Sequence, residues 1–220
     1  FPKLFSPFRI GNLEVANRIV FTAHHTHLSS DVPTDELVAY YQSRAAGGVG
    51  LIAAQWANHL GARVIGVVST EEKRQLALSH GCTEVLLADS DIVTVVREIT
   101  NGDGVPVVYD PVGKDTLYQS LDCLRRRGLL VSFGNASGAV DCLPLLELAK
   151  RGSLYVTRPI LGSNVTNREE LERASGELLS LLSDGYLKVE IGQRFALADA
   201  ADAHRALESR QTKGSTVLLP

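Results

Sequence analysis

The chain has 220 residues, 45% of them hydrophobic, and its 22 Lys and Arg against 25 Asp and Glu give a net charge of −3. That supplies the core of one large domain, or of one domain with an appendage, and argues against nucleic acid as a partner. No apolar run has membrane-spanning length, and residues 1–10 lack the cationic start and apolar stretch of a signal peptide. The three cysteines, Cys82, Cys123 and Cys142, are too widely spaced for a disulfide framework or a zinc site, so a cytoplasmic protein with reduced thiols is expected.

At the N-terminus, "FSPFRIGNLEVANRIVF" alternates around Gly11-Asn12 and predicts a hairpin. "NRIVFTAHHT" reads as a strand, and His24, His25 and His27 at its end read as structural rather than metal-ligating. Next, Thr34 is placed to cap a helix over residues 37–46 with Gly47 as its stop. The string "RAAGGVGLIAAQW" then allows two frames. In one, a helix ends at Gly47-Gly48 and "VGLIAA" is the next strand of a βα barrel. In the other, Gly47-Gly48-Val49-Gly50 closes a strand and opens a helix. The second frame needs "ELVAYYQSR" as its strand, which Val38, Tyr40 and Tyr41 permit although the local pattern prefers helix. Alternatively, "RIVFTAHH" fills that slot and the glycine turn follows a helix.

Beyond Gly48 the texture is regular. "GLIAAQWANHLGA" is a helix stopped by Gly61, with Trp56 in the core, and "RVIGVVS" is a short apolar run suited to a buried parallel strand. "TEEKRQLALSHG", "DIVTVVREITNG", "KDTLYQSLDCLRRRG" and "LPLLELAKRG" are helices, alternating with the strands "TEVLLAD", "VPVVYDPVG", "LLVSFGN" and "SLYVTRPIL". The run Arg125-Arg126-Arg127 reads as a solvated helix end. A long helix, "TNREELERASGELLSLLSDG", follows, and then strand, helix (carrying a surface His204) and strand to the end. This alternation predicts an α/β protein with a Rossmann-type doubly wound parallel sheet over about residues 36–190. The organisation expected is an atypical N-terminal segment, residues 1–47, and a nucleotide-binding domain, residues 48–220, with a C-terminal strand–helix–strand extension.

The glycine turn before a helix leaves no Cβ in the way of a pyrophosphate, whose charge then meets the free N–H groups of the helix start. The strand ending at Val68 is followed by Ser69-Thr70-Glu71-Glu72-Lys73. NAD enzymes usually place an acid there. Ser69 and Lys73 offer a hydroxyl and a cation instead, which suits a 2′-phosphate and favours NADPH, although Lys73 could equally pair with Glu71 or Glu72. Val112, Gly113, Phe133, Gly134 and Asn135 lie in turns after later strands, where a nicotinamide would sit.

From "AAGGVGLI" through "GARVIGVVSTEEK", "VVYDPVGKDT", "LDCLRRRGLLVSFGNASGAV", "GSLYVTRPIL" and "AHRALESRQTKGS", the chain resembles the zinc-free quinone oxidoreductases of the medium-chain dehydrogenase/reductase superfamily. The resemblance covers about residues 45–220. It implies an NADPH-dependent homodimer that carries hydride to a quinone or enone. Carried over, Gly47, Gly48 and Val49 meet the pyrophosphate, and Ser69 and Lys73 hold the 2′-phosphate. Val112 and Gly113 approach the ribose and nicotinamide, Phe133, Gly134 and Ser137 flank the nicotinamide, and Arg158 and Arg210 close the site. No general acid is implied. Ala88 departs from the family, which often has a tyrosine packing on the adenine there. A dimer is expected through residues 153–161, whose Tyr155, Val156, Ile160 and Leu161 form a sticky edge.

Residues 1–53 resemble instead the start of the old yellow enzyme family of FMN-dependent oxidoreductases, in which the opening hairpin plugs a TIM barrel. The two resemblances overlap at "AAGGVGLI", which implies a hybrid with its seam there. The family's N-terminal substrate domain is not found ahead of the nucleotide-binding part, so "VEIGQRFAL" and "STVLLP" are expected to lack partners. An impaired quinone reductase is the function implied. A non-catalytic NADPH-binding module is the alternative, and a flavin-dependent reductase fragment a third.

Overall fold

The computed structural model describes the backbone of residues 8–10, 13–15 and 38–41, and residues 48–209 and 212–220 in full. The chain divides into two compact units, Phe1–His27 with Ile160–Lys188, and Leu28–Pro159 with Val189–Pro220. The first contains the predicted hairpin. Strand β1 (Phe8–Ile10) pairs antiparallel with β2 (Leu13–Val15), Phe8 opposite Val15 and Ile10 opposite Leu13.

The second unit is built on six parallel strands, β3 (Val38–Tyr41), β4 (Arg63–Val68), β5 (Glu84–Leu87), β6 (Val105–Asp110), β7 (Leu124–Ser132) and β8 (Tyr155–Thr157). Their order is β5-β4-β3-β6-β7-β8. The chain runs outward from β3 through β4 to β5, returns to β6, and runs outward the other way. The strand order therefore reverses between β3 and β6, where doubly wound sheets leave a crevice beyond the strands' carboxyl ends.

Five helices connect these strands or follow them: α1 (Gly48–His59), α2 (Glu71–Leu78), α3 (Ile92–Ile99), α4 (Leu117–Cys123) and α5 (Leu145–Lys150). Local chemistry fixes their ends. Gly61, at φ +84°, turns the chain out of α1. The side chain of Thr70 accepts from the Lys73 N–H to cap α2, and that of Asp91 from the Thr94 N–H to cap α3. Ile65 and Val67 of β4 join Ile92 and Val96 of α3, Leu117 and Leu121 of α4, Val108 and Leu130 in one core cluster. Val64 and Val68, which alternate with them along β4, are equally buried. Helix α1 packs on β3 and β4 and buries Leu51, Ala54 and, as expected, Trp56. Each fully buried Val, Leu or Ile among them stabilises the fold by roughly 1.5–3 kcal/mol.

The first unit also holds α6 (Leu161–Asn164) and α7 (Arg168–Ser183), the latter capped by Asn167. The second unit ends in β9 (Ile191–Ala196), a 3₁₀ turn, α8 (Ala200–Glu208) and β10 (Ser215–Leu219).

One open reading is settled and three expectations are corrected. Residues 38–41 are strand, as the Rossmann-type frame required and against the local helix pattern, because a parallel slot between β4 and β6 outweighs local helix preference; the rest of 34–46 lies outside the described residues. β3 fills the central slot, so "RIVFTAHH" is not needed there. Arg125, Arg126 and Arg127 are not a helix end: α4 stops at Cys123, buried Leu124 turns extended to pair with Val105, and the arginines lie in β7. Arg97 donates to the carbonyls of Asp122 and Leu124, at 2.7 and 2.9 Å, and takes up the helix's last acceptors. The C-terminal strands do not lack partners, since β9 and β10 pair parallel with each other. Finally, the six-stranded sheet ends at Thr157 rather than near residue 190.

Candidate functional site

At the carboxyl end of β6 the sheet delivers Asp110, 1% exposed. Its Oδ1 accepts from the backbone N–H of Val112 at 2.7 Å and of Gly113 at 3.0 Å. Its Oδ2 accepts from the hydroxyls of Thr116 at 2.9 Å and Ser120 at 2.8 Å. One carboxylate thus ties strand β6, the turn over residues 111–113 and helix α4 into a single piece. Unsatisfied, any of those donors would cost about 1–3 kcal/mol. Sequence reasoning missed Asp110. Its signal was an acid closing the buried run "VPVVYD", with hydroxyls six and ten residues further on.

The turn after β7 is locked onto the turn after β6. The Phe133 N–H donates to the Asp110 carbonyl at 2.9 Å, and the Ser137 N–H and Oγ both donate to the Val112 carbonyl, at 2.9 and 3.0 Å. A Cβ on Gly134 would lie 2.0 Å from the Pro111 carbonyl oxygen. One on Gly113, at φ +92°, would lie 2.8 Å from the Gly138 oxygen. The contact between the two turns therefore requires both glycines. Arg158, just past β8, donates to the carbonyls of Ser132 at 2.9 Å and Gly134 at 3.0 Å. Val112, Gly113, Phe133, Gly134, Ser137 and Arg158 are thus brought together beyond β6, β7 and β8. Beside them in β6, burial pushes the Tyr109 hydroxyl up to about 12, so it stays protonated.

Ser69 and Lys73 lie at the end of β4 and the first turn of α2, with Lys73 Nζ 3.4 Å from Ser69 Oγ. Gly48 and Val49 begin α1, and a Cβ on Gly48 would come within 2.6 Å of Ser215 Oγ. All these residues lie at the carboxyl edge of one sheet. Gly47, Arg210, His24, His25 and His27 lie outside the described residues. Ala88 is exposed just past β5, and His204 is exposed on α8. Among the described residues, no group of three or more His, Cys, Asp or Glu could hold a metal ion, and no helix is long and apolar enough to cross a membrane.

The profile of the zinc-binding dehydrogenase family matches residues 48–180, and that of the NADH:flavin oxidoreductase / NADH oxidase family matches residues 3–62. The chain is 52% identical over 193 residues to quinone oxidoreductase 1 of Escherichia coli, which covers 86% of this chain and 58% of that protein. It is 46% identical over 202 residues to a 2-haloacrylate reductase of a Burkholderia species, covering 91% and 59%. The crystal structure of Escherichia coli quinone oxidoreductase complexed with NADPH superposes with a TM-score of 0.83 at 51% identity, covering 88% of this chain and 60% of that one. The chain thus spans under two thirds of the length of these relatives.

Proposed function

The chain belongs to the zinc-binding dehydrogenase family, and on that premise we propose that it is a reductase that uses NADPH to reduce a quinone or a related electron-poor acceptor. The observation that carries the proposal is the carboxyl edge of the parallel sheet. There, the start of α1, the Ser69–Lys73 pair and the joined turns after β6 and β7 line the crevice side of the strand-order reversal.

The donor set fits the cofactor. The start of α1 offers the N–H groups of a helix's first turn to a pyrophosphate, and Ser69 with Lys73 offers a hydroxyl and a cation to a 2′-phosphate. The residue after β4 is a serine and not a carboxylate, which favours NADPH over NADH. When bound, the cofactor supplies the hydride. The chain's part is positional: Asp110 holds the Val112–Gly113 turn, and Ser137 and Arg158 hold the turn after β7, so that the walls beside the reacting ring are rigid. We assign no general acid, since a reduced quinone oxygen can take its proton from water.

The similarity to a quinone oxidoreductase solved with NADPH supports the acceptor class and the cofactor, and the similarity to a 2-haloacrylate reductase extends the acceptors to activated alkenes. The edge strand β8, with Tyr155 53% and Val156 39% exposed, supports a homodimer in which two such edges pair. The free cysteines suit a reducing cytoplasm. Steady-state oxidation of NADPH with 1,4-benzoquinone tests the proposal. Turnover that requires both components is expected. NADPH binding without turnover would replace the enzyme by a binding module.

A further inference from the structure

The stretch that follows β4 combines an anion site with two acids. Ser69 and Lys73 face each other, yet Glu71 and Glu72 stand between them in sequence, in the first turn of α2. Acids suit a helix start. They repel a phosphate dianion bound one turn away. Both carboxylates are engaged. Glu71 accepts from Gln75 Nε2 at 3.1 Å and from Arg74 at 3.4 Å, both on its own helix. Glu72 Oε1 accepts from Lys213 Nζ at 2.5 Å, and Lys213 lies 141 residues away in sequence.

Lys213 is held from behind. Its carbonyl accepts from Gln193 Nε2 at 3.0 Å, and its N–H donates to Gln193 Oε1 at 3.3 Å. A Cβ on Gly192 would lie 1.9 Å from the Lys213 carbonyl oxygen, so the backbone of β9 and that of Lys213 are in close contact. The strap continues through Gly214, at φ +61°, to Ser215, whose hydroxyl touches the first residue of α1. Residues 213–215 therefore run from the acid side of α2 to the start of α1. The Lys213 ammonium holds the Glu72 carboxyl below its ordinary range, chiefly by its hydrogen bond, with Lys73 adding a smaller charge effect. With side-chain exposures of 43% and 73%, the Lys213–Glu72 pair adds little to fold stability; its consequence is the charge beside Ser69.

We propose that Lys213 is a specificity residue for 2′-phosphorylated dinucleotides: it cancels the charge of Glu72, so that a phosphate can settle on Ser69 and Lys73. This rests on the NADPH reading above. The test is calorimetric titration of NADPH and NADH into the full chain, its K213Q and E72Q variants, and the E72Q/K213Q double variant. K213Q should weaken NADPH by roughly threefold to tenfold, as expected for an uncompensated charge in a partly screened setting, and leave NADH within about twofold. The double variant should recover the NADPH affinity of the unmutated chain. An NADPH affinity that K213Q leaves unchanged, in a chain that prefers NADPH, overturns the inference alone. A double variant as weak as K213Q also overturns it, because Lys213 would then act on the phosphate directly. An unmutated chain with equal affinity for both cofactors overturns the cofactor reading and the inference together. Thermal melts of the variants confirm that all four are folded at the titration temperature.

Discussion

Strands β4 and β8 belong to one sheet and are both apolar in sequence, but their surroundings differ sharply. Val64, Ile65, Val67 and Val68 of β4 are 0–1% exposed, whereas Tyr155 and Val156 of β8 are 53% and 39% exposed. β4 has a hydrogen-bonded neighbour on each side and a helix over it, while among the described residues β8 pairs with β7 alone. Position in the strand order, more than composition, decides which apolar surface the chain finishes by itself. Leu145 and Leu146 of α5, 80% and 70% exposed, add to the unfinished surface. A bare apolar edge of this kind calls for a cover, and the proposed pairing of two such edges in a homodimer would be one that closes.

The contrast can be broken at its interior end first. Leu121→Ala removes a fully buried side chain from the core cluster and should cost about 2–5 kcal/mol of stability by urea denaturation. A loss under about 1 kcal/mol would mean that the core packs loosely there. Asp110→Ala leaves two backbone N–H groups and two hydroxyls without their acceptor, and should cost at least the roughly 1–3 kcal/mol of one such group by the same measurement. It should also weaken NADPH binding, because the turn after β6 loses its anchor. At the edge the expectation reverses. Val156→Asp should shift stability by no more than roughly 0.5 kcal/mol and yet bring the mass seen by light scattering to that of one chain. An unchanged dimer mass would remove β8 from the interface.

A pH effect concerns the buried titratable groups. Burial pushes the Cys82 and Cys123 thiols and the Tyr109 hydroxyl up to about 12. In the unfolded chain thiols lose their protons near 8.5 and tyrosine near 10. The folded state therefore holds protons that the unfolded state releases, and stability is lost as pH rises from about 8.5 towards 12. The melting temperature should fall between about pH 9 and 11, and a flat profile would contradict that burial. In the native protein a thiol reagent should modify exposed Cys142 rapidly, and Cys82 and Cys123 only on unfolding.

The alternating core was readable from sequence because its signals are local. "RVIGVVS" is a short apolar run between a glycine stop and a threonine cap, and the structure places a buried strand there. β3 was harder, since "ELVAYYQSR" follows a cap-like threonine and its pairing depends on strands 20 and more residues downstream. Nothing between Cys123 and Leu124 breaks a helical pattern, so the change to β7 comes from burial of Leu124 and from Arg97 taking the last carbonyls. For the site, Ser69 and Lys73 could be read together because both lie within one turn of a strand end. Asp110 hides as an ordinary last residue of a strand until its four donors converge on it. Lys213 could not be found locally, because its partner lies at the other end of the second unit's sequence.

The central claim is that the carboxyl edge of the six-stranded sheet binds NADPH through the donors at α1, Ser69 and Lys73. Calorimetric titration of NADPH and NADH into the unmutated chain and the Lys73→Ala variant tests it most directly. The account predicts one NADPH per chain, weaker NADH binding, and a loss of roughly tenfold in NADPH affinity on Lys73→Ala with NADH unaffected, as for one charge-assisted hydrogen bond. Equal affinity for the two cofactors, or a Lys73→Ala variant that binds NADPH as well as the unmutated chain, would contradict it.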